Sequence, residues 1–297
     1  MRPHRHPVTL LVGLLAALAF APAFADLRVY VSVPPLVPLA GRVGGGTVEV
    51  RSLVSPSQDP HTFEPSARQI EALAAAQVFW AVDMPYERAW LPRLRAANPR
   101  MVVVDARAAL GRPAAEPAAG SVHASHDHSG PDHAHAADPH LWTSPRAVRA
   151  MVGPLAEAFA AADPPNGAAY RANATALAAE LEALDAELRA LLASLEPRRF
   201  VVFHPAWGQF AADYGLEQIA VEQDGKEPAA RALAGLATRL RADRTRVIFV
   251  QPQTSRRSAE ALAREVGARL EVLDPMATDY FGSKRALARA LLEAQGR

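Results

Sequence analysis

The sequence predicts an α/β protein with parallel sheets in two lobes, and three observations predict it. Short β-branched runs alternate with Ala/Leu/Arg stretches of helical period; the runs fall into two groups, one before residue 110 and one after 198; and the segment between the groups carries a helical run with no internal Pro or Gly. Strands alternating with helices are the pattern of βαβ units, which build parallel sheets.

Residues 1–25 are expected to be an export signal. Arg2, His4, Arg5 and His6 precede an apolar run from Val8 to Phe20, and Ala23-Phe24-Ala25 supplies the small-x-small pattern that signal peptidase cuts after. That run is shorter than the ~20 residues needed to cross a bilayer. With no cysteine to carry a lipid, the mature chain is expected to be soluble, unanchored and periplasmic.

An N-terminal lobe is expected over 26–162, with strands at 27–33, 48–54, 76–82 and 101–106 and a helix in SARQIEALAAA, opened by a capping Ser. Within it, residues 121–136 form a His-rich loop whose Ala, Pro, Gly, His and Asp have little to offset ordering entropy. A connector helix is expected over 163–197, because residues 167–196 run unbroken to Pro197. At 1.5 Å per residue it would reach ~45 Å, enough to run along both lobes. Leu177, Leu181, Leu184, Leu188, Leu191 and Leu195 recur at three- and four-residue spacing, which suits either a coiled coil or a connector packed onto its own lobes. The C-terminal lobe, 198–297, has strands expected at 199–204, 245–251 and 269–274, with helices in SRRSAEALAREVG and SKRALARALLEA.

The chain of 297 residues is half hydrophobic and 21% charged with a net charge of +1. So balanced a chain has no global field for gathering nucleic acid, and no nucleic-acid partner is expected. The absence of cysteine removes disulfides, thiolate metal sites and Cys nucleophiles, so any metal must use N and O ligands. The unusual inventory is histidine, ten in all, clustered in the loop and in Pro-flanked motifs.

His61 stands in Asp59-Pro60-His61 past one strand, His140 repeats the pattern in Asp138-Pro139-His140, and His204 ends a strand and is followed by Pro205. Pro fixes the backbone beside each His, so each imidazole is presented from a stiff turn, and His204 is expected at the carboxyl edge of its sheet, where α/β proteins bind ligands. Three neutral imidazoles suit Zn(II), while Mn(II) prefers more oxygen. Asp279, past the last strand, is a candidate fourth ligand or else an N-terminal helix residue favoured by the dipole. Asp274 better suits a turn. Glu222 and Glu227 flank a polar loop as candidate gate residues. His123, His126, His128, His133 and His135 are too closely spaced for a rigid site but suit loose, auxiliary metal binding.

Taken together, DPHTFEPSARQI, YERAWL, DPHLWTSP, FHPAWGQFAADYGL, DGKEPAA and LDPM, in that order, resemble the zinc and manganese substrate-binding proteins of bacterial ABC importers, the ZnuA/TroA-like family, over essentially all of 26–297. The resemblance implies two Rossmann-like lobes joined by a long rigid helix, with one metal in the cleft on His61, His140 and His204. Members with a carboxylate fourth ligand take it from near the C-terminus, which points to Asp279. The His-rich loop is typical of the zinc-specific branch, and the chain is most similar to the AztC-like proteins, which receive metal from a periplasmic zinc metallochaperone. The implied partners are a membrane ABC permease and its cytoplasmic ATPase, and the binder is expected to be a monomer.

The expected function is therefore capture of Zn(II) for import. Three rival readings are manganese import, a zinc-buffering chaperone that works through the loop, and a zinc hydrolase. The last lacks an HExxH helix or GxSxG elbow to supply its chemistry, and the protein is expected not to be an enzyme.

Overall fold

A computed structural model describes residues 27–112, 138–222, 229–253 and 256–296. The expected export signal, the loop histidines His123, His126, His128, His133 and His135, and Glu227 lie outside the described residues.

The first lobe is built from β1 (Leu27–Val31), α1 (Leu36–Gly44), β2 (Val48–Ser52), α2 (Ala67–Ala74), β3 (Val78–Ala81), α3 (Pro85–Ala97), β4 (Val102–Asp105) and α4 (Ala106–Ala109), with α5 (Pro145–Ala162) packed back on β3 and β4. Its sheet is parallel throughout, in the order β2-β1-β3-β4. Val29 lies in register with Val50 on one side and Val78 on the other. All of β3 is buried, and a strand covered on both faces reads as a continuous apolar run.

Next come α6 (Gly167–Leu192), β5 (Arg199–Val202), α7 (Gly208–Asp213), β6 (Glu217–Ala220), α8 (Ala230–Ala242), β7 (Val247–Val250), α9 (Arg256–Val266), β8 (Arg269–Val272) and α10 (Tyr280–Glu293). The second sheet is also parallel, ordered β6-β5-β7-β8. Seven of its and the first sheet's eight strands coincide with the expected runs; β6 does not. Its burial runs exposed, half-buried, buried, half-buried, because it is an edge strand with polar Glu217 and Gln218.

The connector α6 has 26 residues, about 39 Å at 1.5 Å per residue. Leu177, Leu181, Leu184, Leu188 and Leu195 are buried, and α6 packs against α5, α1 and α10 of its own chain. The leucine stripe is thus filled internally, as for a packed connector rather than a coiled coil. Each buried leucine contributes about 2 kcal/mol relative to exposure.

Alternation along β5 and β7 decides how the lobes are coupled. Phe200, Val202, Val247 and Phe249 face one way and join a core that runs without a break through α10 and α6 into the first lobe. Val201, Ile248 and Val250 face the other way, onto Ala237 and Leu240 of α8 and Ala259 and Leu262 of α9. One continuous core behind the cleft resists hinge motion, because close-packed interiors do not deform smoothly. The loops leaving β2 and β5 meet in front of it.

Candidate metal centre

The Asp-Pro-His motifs fold alike. Asp59 Oδ1 accepts the His61 N–H at 2.9 Å, and Asp138 Oδ1 accepts the His140 N–H at 2.9 Å. Each is an Asx-turn, in which the Asp side chain closes on the backbone two residues ahead. Asp274-Pro275-Met276 makes the same turn, with Asp274 Oδ1 accepting the Met276 N–H at 2.9 Å. His140 then opens a short 3-10 turn over Leu141–Thr143, where Thr143 Oγ1 donates to the His140 carbonyl and the buried Trp142 ring lies 5.2 Å from the imidazole. His204 follows β5, and its neighbour Phe203 accepts the Glu222 N–H at 2.8 Å, which extends the β5–β6 pairing and sets Glu222 beside His204.

These turns bring three Nε2 atoms to one point. His61 to His140 is 2.9 Å, His61 to His204 is 3.2 Å and His140 to His204 is 3.4 Å. The set His61, His140 and His204 is the one metal-capable cluster among the described residues, with His140 and His204 buried and His61 half-buried. The other ring nitrogens of two of them are committed. His140 Nδ1 donates to Asp138 Oδ1 at 2.7 Å, and His204 Nδ1 donates to Glu222 Oε2 at 2.8 Å. Each carboxylate orients its ring, so both Nε2 atoms face the same point. Tetrahedral zinc with Zn–N of about 2.05 Å requires ligand nitrogens about 3.3 Å apart, close to the spacing here.

Burial, reinforced by the neighbouring His140 and His204, lowers the His61 imidazole to about 4. The ring is then neutral at neutral pH, the form a metal needs. Burial works to raise the Asp138 carboxyl, but the His140 ring and hydrogen bonds from His140 and Gln209 prevail and hold it below the usual range. It is ionised and accepts from His140 as a carboxylate.

Asp279 is not brought to the histidines. It is exposed and caps α10, its Oδ1 accepting the Gly282 N–H at 2.9 Å. An acidic residue placed on a helix N-terminus meets unpaired N–H groups and a favourable dipole, which is the role Asp279 takes here. Glu222, a candidate gate residue, accepts from the His204 ring. Sequence inspection missed Asp138, although its place two residues before His140 was the available signal.

Contacts between the lobes surround the site. Asp138 Oδ2 accepts the Gln209 N–H of α7 at 3.2 Å, and Trp142 Nε1 donates to the Pro275 carbonyl at 2.8 Å. The family model described as the zinc-uptake complex component A, periplasmic, ZnuA, matches residues 29–294.

The chain belongs to the ZnuA family. It is 28% identical to the zinc-binding lipoprotein AdcA of Streptococcus pneumoniae over 256 residues, covering 86% of this chain and 51% of that one. The chain thus spans about half the length of the AdcA relatives it matches. A Treponema pallidum relative, provisionally named as metal-binding, is 31% identical over 254 residues, with 84% of this chain and 79% of that one covered. Among solved structures, a ZnuA crystal structure superposes with a TM-score of 0.77 at 36% identity, covering 90% of this chain and 98% of that one. A ZnuA deletion mutant with zinc bound matches at the same TM-score and identity, covering 90% and 97%. ZnuA-family membership agrees with the two-lobe α/β architecture and its long connecting helix.

Proposed function

We propose that this ZnuA-family chain captures Zn(II) in the periplasm on His61, His140 and His204 and delivers it to a membrane ABC permease driven by a cytoplasmic ATPase. The observation that carries this is the convergence of three Nε2 atoms within 3.4 Å, two of them on rings whose Nδ1 is held by a carboxylate. All-imidazole ligation favours zinc over manganese, which asks for more oxygen. The zinc-bound relatives support the same choice of metal.

The protein works as a binder with no chemistry of its own, as a monomer, and zinc reaches it free or from a periplasmic metallochaperone. The His-rich loop serves as an auxiliary, weaker site. The shared core behind the cleft means that metal enters and leaves through small movements of the His61 and His140 loops, not through wide lobe closure.

The test is zinc and manganese stoichiometry by chelator competition on protein lacking residues 121–136. One tight Zn(II) that displaces Mn(II) and vanishes in His61→Ala is the expected result. Tight manganese binding, or no tight zinc, would overturn the reading.

A further inference from the structure

The loop that carries His61 is braced from within. Gln58 Oε1 accepts from both the Ser55 N–H at 3.0 Å and the Ser55 hydroxyl at 2.7 Å, and the Gln58 N–H returns to the Ser55 carbonyl at 3.0 Å. The Asp59 turn then follows directly and ends on His61. Residues 55–61 therefore move as one piece, and whatever holds Ser55 or Pro56 also holds His61.

What holds Pro56 belongs to the other lobe. Gln253, three residues past β7, donates from Nε2 to the Pro56 carbonyl at 2.9 Å and to Asp274 Oδ1 at 2.9 Å. Both partners only accept, so the amide orientation is determined: a flipped amide would set its oxygen against a carbonyl and a carboxylate. Asp274 is in turn fixed by the Met276 N–H in its own turn. Gln253 thus spans from a rigid turn of the second lobe to the brace of the first.

Building on the zinc site proposed above, we propose that Gln253 is a positioning residue that latches the His61 loop shut and so sets how long zinc stays bound. Both of the latch's bonds are between protein groups, so neither needs the metal as a partner. The latch pre-orders the His61 imidazole against the other two rings, so less order must be gained when zinc binds. Metal leaves when the Pro56 bond breaks and the braced loop swings away with His61. Loss of the latch therefore acts on release more than on capture.

Two variants separate donation from packing. Gln253→Met keeps the length and removes the donor, while Gln253→Lys keeps a donor within reach of both acceptors. In stopped-flow release of zinc into excess chelator, Gln253→Met is expected to release about tenfold faster than the unaltered protein, the scale of one lost hydrogen bond. Gln253→Lys is expected to stay within about threefold, and association rates to change little. In the zinc-free protein, amide exchange at Gln58 and His61 is expected to quicken in Gln253→Met. Release from Gln253→Met within twofold of the unaltered protein, or equal acceleration in both variants, would overturn the latch. If the unaltered protein holds no zinc tightly, the metal-site reading fails instead, and the amide-exchange comparison alone decides the latch.

Discussion

His204 and Glu222 stand 2.8 Å apart, Nδ1 to Oε2, just beyond the ends of the paired strands β5 and β6. The pairing, continued by the Glu222 N–H on the Phe203 carbonyl, sets the two backbones side by side within reach of this contact. The carboxylate fixes which nitrogen of His204 faces the cleft and makes that nitrogen a better donor to a metal. Glu222→Gln keeps an acceptor but loses the charge, and zinc affinity is expected to fall about tenfold; Glu222→Ala is expected to cost up to about 100-fold. Chelator-competition titration checks both, and a Glu222→Ala protein with unchanged affinity would mean that the ring needs no such support.

Gly208 bears on the other oriented histidine. A Cβ at this position would stand 2.6 Å from Asp138 Oδ2. The carboxylate would have to turn, giving up the Gln209 N–H on one side or the His140 ring on the other. Gly208→Ala is therefore expected to fold normally and bind zinc about tenfold more weakly, the usual cost of disturbing a ligand's outer partner. Circular dichroism and zinc titration of the same sample distinguish this from simple destabilisation.

The apo protein should lose stability in acid through His61. Its folded imidazole titrates near 4, against 6.5 for the free side chain. Between those values the unfolded chain takes up a proton that the folded chain refuses, so stability rises with pH across this window and the effect is complete above it. The slope is about 1.4 kcal/mol per pH unit at its steepest. Urea unfolding of the zinc-free protein at pH 4.5, 5.5 and 6.5 is expected to show this slope, and His61→Gln is expected to reduce it. An equal slope in both proteins would place the titrating group elsewhere.

The three histidines that meet were legible because each is flanked by Pro, and His204 also ends a predicted strand, features that local sequence carries. Glu222 was visible as a carboxylate in a polar loop, but its partner was not. That partnership depends on β6 pairing with β5, and β6 was hidden because Glu217 and Gln218 break its apolar run. One unseen edge strand thus accounts for both the missing element and the unseen His204 contact. The packing role of the α6 leucines had the same limit: heptad-like spacing fixes a stripe but not what fills it.

Asp279 tests how far proximity in sequence can be trusted. It lies between β8 and α10, where a carboxylate can either reach back to the cleft or cap the helix ahead, and nothing in the local sequence distinguishes the two. In the structure it caps, accepting the Gly282 N–H at 2.9 Å while exposed to solvent. Asn caps as well as Asp does, so Asp279→Asn is expected to leave both stability and zinc affinity nearly unchanged. Asp279→Ala removes the cap, and its expected cost is about 1 kcal/mol of stability with zinc affinity still intact. Thermal unfolding paired with zinc titration separates these roles, because a ligand would show the opposite pattern: lost affinity in both variants, whatever happened to the helix. Loss of affinity in Asp279→Asn would mean that the carboxylate leaves its cap when zinc arrives and closes an N3O tetrahedron around it.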